Sequence, residues 1–157
     1  MISTEKANEI LNDLFRPNGT SGVKYLGFST TEPSLSTSGT IDNFAEPADS
    51  TGYIRLELGD GGESLGLNAA SGAKITNTKY NLSFPVPDKG KSYGSAVAIG
   101  FFGGKTGGAP YFVAKLKEPV ALGTKATLVI YKNDFTTTLT ATETTNTATT
   151  EDASGTE

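Results

Sequence analysis

The sequence predicts a mainly β protein: an N-terminal α-helix, then one antiparallel β-sandwich of jelly-roll or Ig-like type, then a disordered Thr-rich C-terminal tail. Three observations predict this. Apolar residues recur at helical spacing near the N-terminus, alternate with polar residues from about position 23, and give way to small polar residues after about position 140. We expect a helix and turn at 1–19, a sandwich domain at 20–140 and a tail at 141–157.

The helix signal covers residues 3–15. One apolar stripe at helical period contains Ala7, Ile10, Leu11, Leu14 and Phe15. Ser3 is a favourable N-cap, and the Pro-Asn-Gly sequence at 17–19 ends the helix. Because so short a helix is marginal alone, its stripe must pack on something. Packing on the protein's own sheet is the commoner arrangement, and packing on a neighbouring subunit is the alternative. We therefore take Ile10, Leu14 and Phe15 as candidate interface residues.

The apolar spacing changes to two from residue 23, so 23–30 is predicted as the first strand. The stretch 34–51, rich in Ser, Thr and Gly, is predicted to be a long loop. Strict alternation at 53–58 predicts another strand. Its core face is expected to carry Ile54, Leu56 and Leu58, and its outer face Tyr53, Arg55 and Glu57.

Residues 95–102 are nearly all apolar or small, a pattern typical of a strand that is buried on both faces and central in the fold. A glycine-rich turn at 103–108 and a strand at 111–116 predict that this strand forms a hairpin. Shorter strands are expected at 73–77, 80–84 and 126–131, and at 135–139, which is expected to close the sheet. Short strands separated by turn signals favour an antiparallel sandwich or barrel.

The composition argues against catalysis and against two classes of partner. The chain contains no histidine and no cysteine, the commonest proton-transfer and nucleophilic side chains. Its 13 basic residues are scattered among 17 acidic ones, so no basic patch for nucleic acid is expected. The apolar runs are far shorter than the roughly 20 residues of a membrane span, and no secretory signal is recognisable. We predict no enzyme activity, no nucleic-acid partner and no membrane insertion.

Two glycine-rich segments resemble ligand-binding loops but lack the required spacing. The segment 100–106 has three residues, not four, between its first glycine and the Gly-Lys pair of a phosphate-binding loop. The segment 60–63 lacks the alternating oxygen ligands of a calcium loop. We therefore predict no catalytic residue, cofactor site or metal site. Tyr53, Tyr93 and Tyr111 are candidate glycan or partner contacts, although tyrosines in strands more often belong to the core.

Several segments, taken in order, carry a family resemblance: the helix at 7–14, the strand at 25–33, Gly-Tyr-Ile-Arg at 52–55, Thr-Asn at 76–77, Phe-Pro at 84–85, Tyr-Gly at 93–94, Ile-Gly-Phe-Phe at 99–102, the strand at 111–116, Pro-Val at 119–120, Gly123 and a final Thr-rich strand. In this order they resemble a group of short proteins of tailed bacteriophages known as tail fibre proteins, which is similar to phage head-fibre and capsid-decoration proteins. The correspondence covers residues 3–139.

The resemblance implies a non-enzymatic virion structural protein, either a tail fibre-like subunit or a capsid surface fibre or decoration subunit, assembled in the host cytoplasm. It would act by contact with other virion proteins and as a homo-oligomer, docking through the helix stripe or a sheet edge, with the loops 34–51 and 103–110 facing outward. The alternative is a carbohydrate-binding module for adsorption to the host surface. Head and tail locations both remain open.

Overall fold

A computed structural model describes residues 2–16, 22–58 and 67–138. The protein is mainly β, with one N-terminal helix and antiparallel strand pairs, so the predicted fold class is confirmed. The predicted helix-ending turn at 17–19 and the predicted disordered tail at 141–157 lie outside the described residues.

The described elements form one four-stranded sheet and three two-stranded sheets, and all of their strand pairs are antiparallel. The four-stranded sheet has the order β4-β1-β7-β8, and the smaller sheets are β10-β5, β2-β3 and β6-β9. In chain order the elements are α1 (Thr4–Phe15), β1 (Tyr25–Ser29), β2 (Ser34–Leu35), β3 (Ile41–Asp42), a 3-10 helix (Asp49–Thr51), β4 (Leu56–Glu57), β5 (Lys74–Thr76), β6 (Leu82–Ser83), β7 (Gly94–Phe102), β8 (Phe112–Leu122), β9 (Val129–Ile130) and β10 (Thr136–Thr138).

Helix α1 packs on its own β-domain. The Ser3 hydroxyl caps it by accepting a hydrogen bond from the Lys6 backbone N–H at 3.2 Å. The buried part of the apolar stripe consists of Ala7, Leu11 and Phe15. Beside it, the side-chain oxygens of Asn8 and Asn12 each accept a backbone N–H at 2.8 Å, from the segment that leads into β5. These bonds and the buried stripe fix the helix to its own domain.

Strand β7 is central in the large sheet, between β1 and β8, and its burial on both faces is confirmed. On one face, the Phe101 ring lies 5.6 Å from the Phe15 ring, edge to face, in the main hydrophobic core. On the opposite face, Phe102 lies 5.5 Å from Phe44. Because successive strand residues point to opposite faces, both sides of β7 need a covering layer. The second layer comes from the segment 43–55.

The predicted hairpin is formed by β7 and β8, but β8 is longer than expected and irregular. Ala96 pairs with Val120 while Ala98 pairs with Lys115, so residues 116–119 lie opposite the single residue Val97. This is a β-bulge, which bends the strand locally and interrupts the ladder. Strand β8 is the outermost strand of its sheet in the described part of the chain.

Three details of the strand prediction are wrong. The stretch 34–51 contains the β2-β3 hairpin and a 3-10 helix and is not a continuous loop. Within 53–58 only Leu56–Glu57 is a strand, and Tyr53 and Arg55 are buried while Ile54 is 57% exposed. The inversion arises because Arg55 has a buried partner, Phe102, on the second face of the large sheet, while the Tyr53 ring packs into the main core against Phe28. Finally, β10 pairs with β5 and does not close the large sheet.

Candidate interaction surface

A polar cluster of Glu46, Arg55 and the Tyr53 hydroxyl lies on the second face of the large sheet, over Gly27 and Phe102. The Arg55 guanidinium donates two hydrogen bonds to the Glu46 carboxylate, from Nε at 2.8 Å and from Nη2 at 2.7 Å. Its Nη1 donates to the Gly104 carbonyl oxygen at 2.7 Å. The Arg55 side chain is only 3% exposed, and its guanidinium carbon lies 3.5 Å from the centre of the Phe102 ring. Bidentate pairing and ring stacking both suit arginine.

Tyr53 completes this cluster through its phenol. Its hydroxyl donates to Glu46 Oε1 at 2.9 Å and accepts the Phe28 backbone N–H at 3.1 Å. Burial raises the pKa of Tyr53, and the neighbouring Glu46 carboxylate raises it further. The phenol therefore stays protonated and can keep donating to the carboxylate. Every polar group of this cluster is used within the protein, which gives it a structural role.

Two of the three candidate contact tyrosines are core residues. Tyr53 is 7% exposed and Tyr93 is 4% exposed. Their rings pack edge to face against Phe28, and the Tyr93 hydroxyl donates to the Pro85 carbonyl oxygen at 2.5 Å. The aromatic cluster around Phe28 therefore covers most of both rings, and the role of Tyr53 and Tyr93 as glycan or partner contacts stays a prediction.

Tyr111 differs from the other two because it is 59% exposed. Its phenol lies directly over Gly103, where a β-carbon would collide with the hydroxyl oxygen and the ring. The Tyr111 backbone N–H donates to the Phe101 carbonyl oxygen at 2.7 Å, which anchors the residue at the start of β8. The ring is thus held on the surface next to the start of β8, with one face open to a partner.

Tyr111 belongs to a partly apolar surface that we call the Tyr111 face, formed by Leu35, Ile41, Tyr111, Phe112 and Val113. It surrounds a groove of about 350 Å³ between the β2-β3 hairpin and the first part of β8. Leu35 is the most exposed large apolar side chain in the described part of the chain, at 73%. At the border of the groove Lys115 Nζ contacts Glu32 Oε1 at 2.6 Å. The face combines apolar side chains with a balanced charged rim, as protein interfaces do.

The three candidate interface residues of the helix lie in different environments. Phe15 is fully buried and Leu14 packs partly buried against the core, so much of their apolar surface is used inside the domain, and their role in docking stays a prediction. Ile10 is 37% exposed and remains available on the surface. Sequence reasoning missed Leu35, because a lone leucine in a Ser-rich stretch gives no periodic signal.

A second, more polar groove of about 460 Å³ lies between the segment 46–55 and the loop at 105–107. Its lining includes Asp49, Ile54, Lys105 and Thr106. Among the described residues, no cluster of three or more His, Cys, Asp or Glu side chains has the arrangement of a metal site. No helix in the described part of the chain is long and apolar enough to cross a membrane.

Comparison with known proteins identifies the family. A family model described as "Podophage GP4 fiber I protein gp80" matches residues 1–138, which include every helix and strand described above. No curated protein matches the sequence. The family match confirms the resemblance to short phage fibre proteins that the ordered motifs predicted. The chain therefore belongs to the podophage GP4 fiber I protein gp80 family.

Proposed function

We propose that this protein is a non-catalytic structural subunit of a phage particle that is held there by protein–protein contacts through the Tyr111 face. Membership of a phage fibre family supports a structural fibre role in the virion. The observation that carries the choice of surface is the exposure of Leu35 and Tyr111 beside a groove, while the helix stripe is largely buried.

The Tyr111 face is suited to docking on another virion protein. Its residues lie on β8, directly before β8 or on the β2-β3 hairpin, so few of them need to be ordered on binding. Tyrosine is enriched among the residues that contribute most to binding, because it supplies a large contact area at low entropic cost. Burial of Leu35 and Tyr111 against a partner is the main stabilising contribution we assign to the contact.

Incorporation into particles tests this proposal. A Leu35→Ser, Tyr111→Ser double variant should fold with an unchanged circular dichroism spectrum and be depleted in purified particles, as measured by quantitative mass spectrometry. The matched control is a Tyr80→Ser, Val86→Ser double variant, since those side chains are 53% and 55% exposed elsewhere on the protein. Incorporation of both variants at the wild-type level would contradict the choice of surface. Labelled antibody and electron microscopy of the same particles would distinguish head from tail.

Carbohydrate binding is the second candidate function. The groove beside Lys105 is the observation that favours it, because it places the polar side chains of Asp49, Lys105 and Thr106 around the exposed apolar Ile54. Sugars are commonly bound by such a mixture of polar and apolar groups. A glycan array on the purified protein, with the Lys105→Ala, Ile54→Ser double variant as comparison, tests it. A specific signal that this variant loses would support carbohydrate binding. The absence of any signal from the wild-type protein would contradict it.

A further inference from the structure

Two tyrosines and two lysines lie together at one end of the β6-β9 sheet. Lys79 and Tyr80 lie shortly before β6, and Tyr131 and Lys132 lie directly after β9. Because β6 and β9 are antiparallel, these two segments meet at the same end of the sheet. Tyr80 is 53% exposed, Tyr131 is 61% exposed, and both lysines are exposed. We call these four residues the lysine–tyrosine patch; they line neither of the two grooves described above.

The buried side chain of Asn77 holds the two segments of the patch together. Its amide nitrogen donates to the carbonyl oxygens of both Tyr80 and Tyr131, at 2.9 Å and 3.1 Å. Nearby, the Lys132 backbone N–H donates to Asn81 Oδ1 at 2.7 Å. Because these bonds fix the backbone at both tyrosines, the patch is organised before any ligand arrives, and little backbone entropy is lost on binding.

The turn at 131–134 is held in the same way. The Asn133 backbone N–H donates to the Asn77 carbonyl oxygen at 2.8 Å, and the Asp134 N–H donates to the Tyr131 carbonyl oxygen at 2.9 Å. Within the described residues, no hydrogen bond or ring contact uses the phenol of Tyr80 or of Tyr131. The backbone of the patch is thus fully engaged in the fold, while both phenols remain available to a ligand.

The patch has a net positive charge. The ion pairs among the described residues include neither Lys79 nor Lys132. Asp134 lies in the same turn, so two positive charges stand against one negative charge. Lysine ammonium groups form charge-assisted hydrogen bonds to carboxylates and phosphates, and each tyrosine adds a flat apolar face and a hydroxyl. These side chains together suit an anionic ligand that also has apolar faces.

Charge density decides between the anionic ligands. Two lysines are too few for double-stranded DNA, which carries one charge per roughly 1.7 Å, and for an anionic membrane surface, whose recognition uses clusters of about four to eight basic residues. An acidic polysaccharide has a lower charge density. Its carboxylates are spaced by sugar rings with apolar C–H faces and hydroxyl edges, and such mixed surfaces are bound by aromatic side chains combined with a few polar groups.

We propose that the lysine–tyrosine patch binds an acidic polysaccharide, with the tyrosine rings stacked on sugar rings and the lysine ammonium groups paired with carboxylates. This inference goes beyond the proposed function, because the patch is separate from the Tyr111 face and from the groove beside Lys105. The patch takes no part in docking on the particle, so its variants, including Tyr80→Ser, should be incorporated at the wild-type level. Failure of the virion role and failure of this site therefore give different results.

The distribution of charge along the chain permits the approach of a polyanion. The net charge of −4 comes from 17 acidic and 13 basic residues. Four of the acidic residues and none of the basic ones lie in 139–157, so residues 1–138 contain 13 of each and are neutral overall. The part of the chain that forms the fold therefore has no excess negative charge to repel the ligand, and the two lysines determine the local attraction.

Calorimetric titration with defined oligosaccharides tests the proposal. The probes are oligosaccharides of hyaluronan, alginate and polygalacturonate, each compared with its methyl ester, which keeps the sugar rings and removes the carboxylate charge. At least one acidic probe should bind at low salt, and its ester should bind at least about fivefold more weakly. Added salt should weaken binding of the acidic form, because the lysines are exposed. No binding of any acidic probe, or equal binding of acid and ester, would overturn the proposal.

Substitutions locate the site. The double variant Tyr80→Ala, Tyr131→Ala should bind the acidic probe at least about tenfold more weakly than the wild type. Lys79→Gln, Lys132→Gln should bind it about fivefold more weakly and should lose most of the salt dependence. Both variants should keep the wild-type circular dichroism spectrum, because none of the four side chains is buried. Wild-type affinity in both double variants would refute the site.

Two further variants separate the local patch from the overall charge. Asp134→Asn should strengthen binding about twofold, because it removes the negative charge of the turn. The matched control Val86→Ala, Lys89→Gln removes one exposed apolar side chain and one exposed lysine elsewhere and should bind as the wild type does. Equal losses in this control and in the patch variants would contradict a defined site. Loss of binding in Lys105→Ala, Ile54→Ser but not in the patch variants would place the ligand in the polar groove instead.

Discussion

Replacing Glu46 with alanine should lower the free energy of unfolding by about 3 kcal/mol, the lower end of the range for removing one partner of a buried ion pair, because the Glu46 side chain itself is 24% exposed. This loss of stability is large for the truncation of a single side chain. Arg55 is 3% exposed and would lose two of its three described hydrogen bonds, and Tyr53 would lose the acceptor of its hydroxyl proton. The charge of Arg55 would then remain buried with only the Gly104 carbonyl and the Phe102 ring as partners.

The chain contains a matched control for this substitution. Glu32→Ala also removes the carboxylate of an ion pair, but here the side chains of both partners, Glu32 and Lys115, are more than half exposed. Exposed pairs contribute about 0–1 kcal/mol. Both variants are measured by urea unfolding with far-ultraviolet circular dichroism, which suits a chain without tryptophan. We expect a large fall in the midpoint for Glu46→Ala and almost none for Glu32→Ala.

A double variant separates the net contribution of the ion pair to stability from the penalty for leaving the Arg55 charge unpaired. Replacing Glu46 with leucine and Arg55 with methionine removes both charges and keeps most of the side-chain volume. Because a buried pair recovers little more than its own desolvation cost, the double variant should be more stable than Glu46→Ala. The reasoning is refuted if Glu46→Ala stays within about 1 kcal/mol of the wild type, the range of an exposed pair.

The remaining predictions use the same unfolding assay. Phe15→Ala should cost about 3–5 kcal/mol because the ring is fully buried, and a cost below that of the surface variant Ile10→Ala would contradict the core assignment. Gly100→Ala should cost about 1–3 kcal/mol, since its β-carbon would lie 2.5 Å from the Phe44 ring; Gly123→Ala, with open space around it, is the control. The pKa of Tyr53 is raised above the ordinary tyrosine value of about 10, so above about pH 10 the unfolded chain loses this phenol proton before the folded protein does. The contribution of Tyr53 to the free energy of unfolding is therefore complete below about pH 10 and decreases as the pH rises above it. Tyr53→Phe should therefore lose less stability than the wild type between neutral and strongly alkaline pH, and parallel pH profiles would contradict this.

Elements with a local signal could be predicted from the sequence. The cap at Ser3 and the helical stripe act within a few residues of one another, so α1 begins and ends where they indicate. The run of apolar and small residues in β7 predicted a strand that is buried on both faces, because each face must then be covered. In both cases the residues that determine the element belong to the element itself.

The orientation of Tyr53 and Arg55 could not be predicted in this way. Alternation shows that neighbouring residues face opposite sides, but it does not show which side is buried when both sides are covered. The relevant signal is a pair of glycines, Gly27 in β1 and Gly100 in β7, which are directly opposite each other. A β-carbon at Gly27 would meet Glu46 and the Tyr53 hydroxyl, and one at Gly100 would meet Phe44. These glycines leave space for the second layer, yet their pairing is evident only when the strand register is known.

The grouping of Leu35 with Tyr111 on one surface could not be predicted from the sequence either. Leu35 and Tyr111 are 76 positions apart in the sequence, and neither forms part of a helical or alternating stripe that would indicate a surface. Residues that did form such a stripe, including Leu11 and Phe15, are used in the core because periodic apolar patterns arise from packing within the chain. For this protein, then, an interface is best sought among apolar residues that remain exposed after the core is formed. That criterion selects Leu35 and Tyr111, which lie on the two sides of the groove between the β2-β3 hairpin and β8.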